Sequence, residues 1–212
     1  MARRLQIGAM GARPTAPALE SAALPTATLH EASGRNGALP SAIKPVVPSM
    51  RLCGPAVTVS SPAGDNLSIH EALYVAEPGD VLVVTTGDKE YGYWGEIMTV
   101  AAQVRGLGGL VIDGGVRDCD RLIELGLPVF SNGICIRGTG KDPSAPASIN
   151  HEIQIGDVAI APGDVVVGDA DGVVVIEQST LADVVTAARE REEKEQTWLE
   201  SLRAGVRTLD LI

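Results

Sequence analysis

One stretch limits the folds open to this chain: Gly95-Glu96-Ile97-Met98 through Val111-Ile112-Asp113-Gly114-Gly115-Val116-Arg117-Asp118. The pattern reads as a helix over Ile97 to Val104, a glycine turn at Gly106-Leu107-Gly108-Gly109, a buried strand over Leu110 to Asp113, then a loop. An apolar, β-branched run bounded by glycines suits a strand covered on both faces. Gly114-Gly115 then frees the backbone, and a guanidinium and a carboxylate stand side by side. Polar groups just past the carboxyl end of a buried strand are where open α/β sheets place ligand chemistry. On this reading Asp118 holds a divalent metal and Arg117 an anionic substrate.

The 212 residues, 45% hydrophobic, suffice for one sizeable core. A formal net charge of -10 argues against nucleic-acid and anionic-membrane partners, whose phosphates would be repelled, although a local arginine or metal can reverse the field for a small anion. Aromatic residues make up 3%, too few for base-stacking platforms. Cys53, Cys119 and Cys135 form neither a CxxC nor an even set, so no disulfide framework or zinc cage is indicated. No run of eighteen apolar residues is present, and Arg3-Arg4 leads into no apolar signal segment, so the expected location is the cytoplasm.

Residues 1–18, rich in Ala, Pro, Gly and Arg, are expected to form a flexible arm, and 19–212 a single catalytic domain. A first helix is expected over Glu20 to Gly34, broken at Pro25, with Thr26 or Thr28 as caps. A strand follows over Leu52 to Ser60, and Asp65 or Asn66 can cap a helix over Leu67 to Val75. Glu77-Pro78-Gly79-Asp80 and Ala161-Pro162-Gly163-Asp164 each feed a valine-rich strand. Because Pro-Gly is what a tight reversal requires, the echo reads as a shared turn, not a repeated site. Further strands are expected over Pro128 to Phe130, His151 to Ile160 and Val165 to Ile176, with a short helix over Cys119 to Leu125 and a mobile loop over Arg137 to Ala147. A long amphipathic helix runs over residues 179–203, with Ser179 as its cap. The mixture indicates an α/β layered sandwich.

On that last helix Val184, Ala188, Arg191, Glu195, Leu199 and Leu202 share one stripe. A carboxylate at Glu195 on an inward stripe requires a partner, a proton or a metal; a salt bridge within the stripe serves equally. Asp118 has a structural alternative as a helix cap or as the ion-pair partner of Arg117. Glu96 stands at a helix start, where free amides of Gly95, Ile97 and Met98 can hold an anion, or where Glu96 only complements the dipole. Other signals are set aside. Gly106-Leu107-Gly108-Gly109 ends a helix instead of opening one, Asp169-Ala170-Asp171-Gly172 has its glycine too early for a calcium loop, and no Gly-x-Ser-x-Gly elbow occurs. His30, His70 and His151 have no ligand spacing, though His70 could line a site.

The acid at 96, the twenty residues that follow and Arg117-Asp118 resemble the acid-X20-Arg-Asp motif of the HMG/CHA aldolases. These are class II pyruvate aldolases acting on 4-hydroxy-4-methyl-2-oxoglutarate and 4-carboxy-4-hydroxy-2-oxoadipate, in the RraA-like superfamily. Thr28-Leu29-His30-Glu31-Ala32, Gly54-Pro55-Ala56-Val57-Thr58-Val59, Gly64-Asp65-Asn66, Pro78-Gly79-Asp80-Val81, Asp171-Gly172-Val173 and Arg191-Glu192-Glu193-Lys194-Glu195 extend the resemblance. It implies a swivelling β/β/α sandwich assembled as a homotrimer or homohexamer, with sites between subunits. It also implies Mg²⁺ or Mn²⁺ held directly by Asp118 and, through water, by Glu96 and the partner subunit's Glu195. Arg117 would stabilise the pyruvate enolate oxygen, and amides from Gly95 to Met98 would bind the carboxylate. The chain departs from the pattern at Glu96, usually Asp, at Arg121, where relatives often have an acid, and in a tail ending at Leu211-Ile212.

Retro-aldol cleavage and oxaloacetate decarboxylation both leave electrons on pyruvate, which a cation and a guanidinium stabilise. No lysine lies near the motif in sequence, and this chemistry needs no Schiff base. The expected activity is therefore a metal-dependent carbon–carbon lyase. The alternative is a non-catalytic RraA-like regulator of ribonuclease activity acting by protein binding, in which the counterpart of Asp118 is typically not an acid.

Overall fold

Parallel strands covered on both faces read as continuous apolar runs, and four here do so. In the computed structural model, which describes residues 5–15, 19, 24–87 and 89–211, the elements in chain order are as follows. The first half comprises β1 (Leu5–Ile7), α1 (Thr26–Ala32), β2 (Lys44–Pro45), β3 (Leu52–Ser61), α2 (Leu67–Val75), β4 (Val81–Thr86), β5 (Gly92–Trp94) and α3 (Glu96–Val104). There follow β6 (Gly109–Asp113), β7 (Gly115–Val116), α4 (Cys119–Leu125), β8 (Val129–Ser131), β9 (Ala147–Ile149), β10 (Ile153–Ile155), β11 (Val158–Ile160), β12 (Val165–Gly168), β13 (Val173–Ile176) and α5 (Leu181–Arg203).

β3, β4, β6 and β8 lie parallel in that order, and α2, α3 and α4 make the crossovers that parallel neighbours require. The ten-residue β3 belongs to two groups: Leu52 to Pro55 pairs with β12, which pairs with β13, while Val59 and Ser60 pair with β9. Alternation sorts the side chains. Leu82 and Val84 of β4 join Leu110 and Ile112 under the helices, with Ile69, Leu73, Met98 and Leu122. Val81 and Val83 point the other way, toward Val111, Phe130, Ile155, Ile160 and Val166. Behind these, Val165, Val167, Val174 and Ile176 meet Leu29 and the helical residues Leu181, Val184, Val185 and Ala188. The result is the expected α/β layered sandwich with a long C-terminal helix.

Two expectations need correction. The segment 5–15 is docked: β1 pairs in parallel with β9, and Arg13 holds Asp80. Its glycines explain why no hydrophobic period announced this, since a Cβ on Gly8 or Gly11 would collide with the carbonyl oxygens of Asn150 and Pro162. The arm adheres by close backbone approach together with Leu5 and Met10, which pack against the core one at a time. Residues 1–4 and 16–18 lie outside the described residues, as do 20–23 of the expected first helix.

The second correction is the inward burial of the α5 stripe at Glu195, where the salt bridge within the stripe is the reading the structure shows. The inward face of α5 ends at Ala188, after which the helix leaves the core, and Glu195 is 37% exposed. Its carboxylate takes a hydrogen-bonded ion pair from Arg191 Nε at 2.8 Å, and Arg191 also approaches Glu31 at 4.0 Å. The stripe continued in sequence after the neighbouring layer had stopped.

The helix caps differ in detail. Neither Thr26 nor Thr28 caps α1; the Asp169 carboxylate does so from a distance of 143 residues, accepting from Thr26 N at 3.0 Å and from its hydroxyl at 2.7 Å. That settles Asp169-Ala170-Asp171-Gly172 as a turn with a capping task. Asp65 Oδ1 caps α2 at Leu67 N, 2.9 Å, and its Oδ2 accepts from Asp142 N, tying down the glycine- and proline-rich loop. Neither Ser179 nor Thr180 makes a side-chain cap on α5. No described helix is long and apolar enough to cross a membrane.

Candidate functional site

β5 and β7 explain the twenty-residue spacing. They are a two-stranded parallel pair, Gly92 beside Gly115 and Trp94 beside Val116, so their carboxyl ends emerge together. One end delivers Gly95-Glu96 and the other Arg117-Asp118. The intervening residues are spent on α3, a turn and β6, which bring the chain back to the same edge. The floor beneath is rigid and apolar: Tyr93 and Trp94 are each 1% exposed, Trp94 Nε1 donates to Thr99 Oγ1 at 2.7 Å, and Thr99 Oγ1 donates to Gly95 O at 3.0 Å. Gly64 N donates to Tyr93 Oη at 2.9 Å, and Asn66 Nδ2 to Tyr93 O at 2.8 Å. Sequence reasoning missed these two aromatics, whose signal was their rarity in a chain with 3% aromatic content.

Asp118 sits in the left-handed region, φ 59° and ψ 39°, and makes no side-chain bond to α4, so it is not that helix's cap. Its Oδ2 instead accepts from Glu96 N at the start of α3, 3.1 Å away. Gly95 makes room for it: a Cβ at that residue would occupy the space of Asp118 Oδ2. In the first turn of α3 the amides of Ile97 and Met98 have no intrahelical acceptor, and the helix dipole favours negative charge in front of them. Met98 buries its side chain in the core while Ile97 is 82% exposed.

Arg117 donates its backbone N–H to Trp94 O at 2.9 Å, which fixes the root of the side chain. Its stem runs against Gly92 and Gly95, and its Nη1 comes near Gly138. Among the described residues no ion pair engages Arg117 or Asp118, although the two are exposed neighbours. The ion-pair alternative is thereby removed. Glu96 is exposed at the mouth, with Arg121 Nε 3.9 Å from its Oε1.

Asp113, the third polar group of the motif, has a bracing task. Its Oδ1 accepts from Asn132 Nδ2 at 2.7 Å and pairs with Lys89 Nζ at 3.1 Å, joining two loops at the end of β6. A lysine therefore does stand near the motif in space, though none does in sequence; its ammonium is committed to Asp113. His70 on α2 is half-buried, and burial holds its imidazole below the usual range, helped by the charge of Lys141 and opposed by Asp65. Glu195 lies with Arg191 and Glu31 on the α1–α5 side of the chain.

Among the described residues no three His, Cys, Asp or Glu side chains converge as a ready metal cage. One free carboxylate oxygen of Asp118, with Glu96 nearby, suits a hard cation that keeps most of its waters, as Mg²⁺ does, and not a zinc-type site. The residues present fit the implied ion.

The sequence model of the RraA-like family, described as Aldolase/RraA, matches residues 23–175. A protein of Halalkalibacterium halodurans, whose name provisionally assigns it 4-hydroxy-4-methyl-2-oxoglutarate aldolase activity, is 36% identical over 170 residues, covering 80% of each chain. The crystal structure of an uncharacterized protein from Pseudomonas syringae pv. tomato superposes with a TM-score of 0.82 at 30% identity, covering 94% of both chains. Streptomyces coelicolor RraAS2, titled an unusual member of the RNase ES inhibitor RraA protein family, gives 0.78 at 28% identity, covering 88% of this chain and 98% of its own. The chain belongs to the RraA-like family.

Proposed function

We propose that this protein is a divalent-metal-dependent lyase that releases pyruvate from 4-hydroxy-2-oxo acids such as 4-hydroxy-4-methyl-2-oxoglutarate, and that also decarboxylates oxaloacetate. One observation carries the reading: at the amino end of α3 Arg117 and Asp118 are exposed and, among the described residues, engage in no ion pair, Asp118 Oδ2 resting on the Glu96 amide in a recess that glycine at 95 leaves for it. An arginine and an aspartate free of each other are available to a ligand.

The substrate carboxylate is held at the amides of Ile97 and Met98, and Arg117 faces the 2-oxo oxygen. As the C3–C4 bond breaks, its electron pair moves onto the pyruvate fragment, and the guanidinium stabilises the charge developing on that oxygen. Asp118 would hold Mg²⁺ or Mn²⁺, which when bound would supply Lewis-acid stabilisation of the same charge. Glu96 and the partner subunit's Glu195 orient the water that takes the proton of the 4-hydroxyl and returns one to C3. In oxaloacetate the same C3–C4 bond breaks and carbon dioxide leaves; the C4 carboxylate has no proton to give up, so the water only delivers one to C3.

The exposed face of α3, with Ile97 at 82%, Val100 at 42% and Val104 at 83%, supports assembly as a homotrimer or homohexamer that completes the site. Likeness to RraAS2 favours a second reading, a regulator that binds a ribonuclease without turnover. Pyruvate release from 4-hydroxy-4-methyl-2-oxoglutarate and oxaloacetate, with Mg²⁺ and with EDTA, separates the two. Turnover lost in EDTA is expected; turnover persisting there sinks the mechanism, and stable ribonuclease binding with no turnover on either oxo acid establishes the regulator.

A further inference from the structure

The proposed chemistry leaves one cation at the mouth without a task. Arg121, three residues past Asp118 in the first turn of α4, donates from Nη1 to Glu124 Oε2 at 2.5 Å, while its Nε stands 3.9 Å from Glu96 Oε1. One guanidinium thus bridges α4 and α3. Glu124 fixes one edge of the fork, and the other edge is turned to the carboxylate beside Asp118. A surface pair within α4 would need only Glu124. Reaching α3 depends on glutamate at 96, because an aspartate ends about 1.5 Å sooner and would leave Arg121 without this second partner.

We infer that Arg121 is a positioning residue for Glu96. It holds that carboxylate away from free rotation and offsets its charge, so the site grips a divalent cation less tightly, and an anionic substrate more tightly, than two unopposed carboxylates would. The inference rests on the proposed roles of Asp118 and Glu96. Both Arg121 and Glu96 are more than half or about half exposed, at 58% and 50%, so the effect is that of a solvated pair.

The test is calorimetric and independent of turnover: Mg²⁺ titrated into the full-length protein, then pyruvate titrated at saturating Mg²⁺. Arg121→Gln is expected to lower the Kd for Mg²⁺ and raise that for pyruvate, each about two- to fivefold, the range of exposed pairs. Opposite shifts are the signature, since a loosened fold weakens both ligands together. In a Glu96→Gln background the Mg²⁺ shift from Arg121→Gln is expected to shrink below about 1.5-fold, because Arg121 acts through Glu96. Equal Mg²⁺ shifts in both backgrounds, or joint weakening of both ligands, overturns the inference. If the parent protein takes up Mg²⁺ and turns over substrate while Arg121→Gln changes nothing, Arg121 alone loses its role; a parent that takes up no Mg²⁺ overturns this inference and the proposed function together.

Discussion

Arg13 and Asp80 lie 67 residues apart and meet fork to fork, at 3.1 and 2.5 Å, whereas Arg117 and Asp118 are adjacent and engage elsewhere. Asp80 is 1% exposed, accepts also from Glu77 N at 2.8 Å, and closes a Pro-Gly-Asp turn. Burial raises its carboxyl above the ordinary range in spite of the bonds and the arginine. The first pair is a clasp. The second leaves both charges in solvent, where they cost little to keep and remain open to a ligand. The same two residue types therefore serve stability when the carboxylate is buried under its arginine and, in the proposed mechanism, chemistry when held apart.

The comparison breaks first at Asp118. Asp118→Asn, which keeps the left-handed backbone and an oxygen for the Glu96 amide, is expected to lower pyruvate release by about a thousandfold or more while leaving the denaturation midpoint nearly unchanged; a large fall in stability would mean that this aspartate is a clasp too. Gly95→Ala is expected to cost about a hundredfold in turnover by displacing the carboxylate, with Mg²⁺ binding by calorimetry weakened in parallel. Arg13→Ala is expected to do the reverse, destabilising the fold by about 2 kcal/mol in urea with kcat retained, because Asp80 is left buried without its partner. The smallest effect tests the second Pro-Gly-Asp turn, where Asp164 accepts from Ala161 N and Gln178 N at 2.8 and 3.2 Å with no arginine. Burial raises its carboxyl, so the folded chain keeps this proton to higher pH than the unfolded chain does. Its contribution is favourable at low pH and is lost as pH rises from about 4 through the raised value. Asp164→Asn is expected to flatten the stability profile in that window, and an unchanged slope would assign the pH dependence to other groups.

Much of this was legible because it is written in local pattern. The valine runs of β4 and β12, the glycine stops and the Asp65 cap all act within a few residues: α2 runs over the residues expected, β4 and β12 begin where expected, and the run from Val165 to Ile176 is divided at its glycines into β12 and β13. The exposed place of Arg117 and Asp118, past a buried strand and its glycines, was legible too, and their role stands as a proposal. What escaped was set by distance in sequence: Asp169 capping α1, Arg13 reaching Asp80, and Lys89 reaching Asp113. The inward placing of Glu195 on the stripe of α5 failed for a related reason. A helical stripe records which residues align, but only the neighbouring layer decides where the stripe stops being inward.

The left-handed backbone at Asp118 carries a consequence for how such a scaffold changes use. Asparagine and glycine hold that conformation as readily as aspartate. The loop can therefore shed its carboxylate in a single replacement without altering its course, leaving a sound molecule whose surface is intact and whose proposed chemistry is gone. A fold of this design stands one residue from being a silent binding partner.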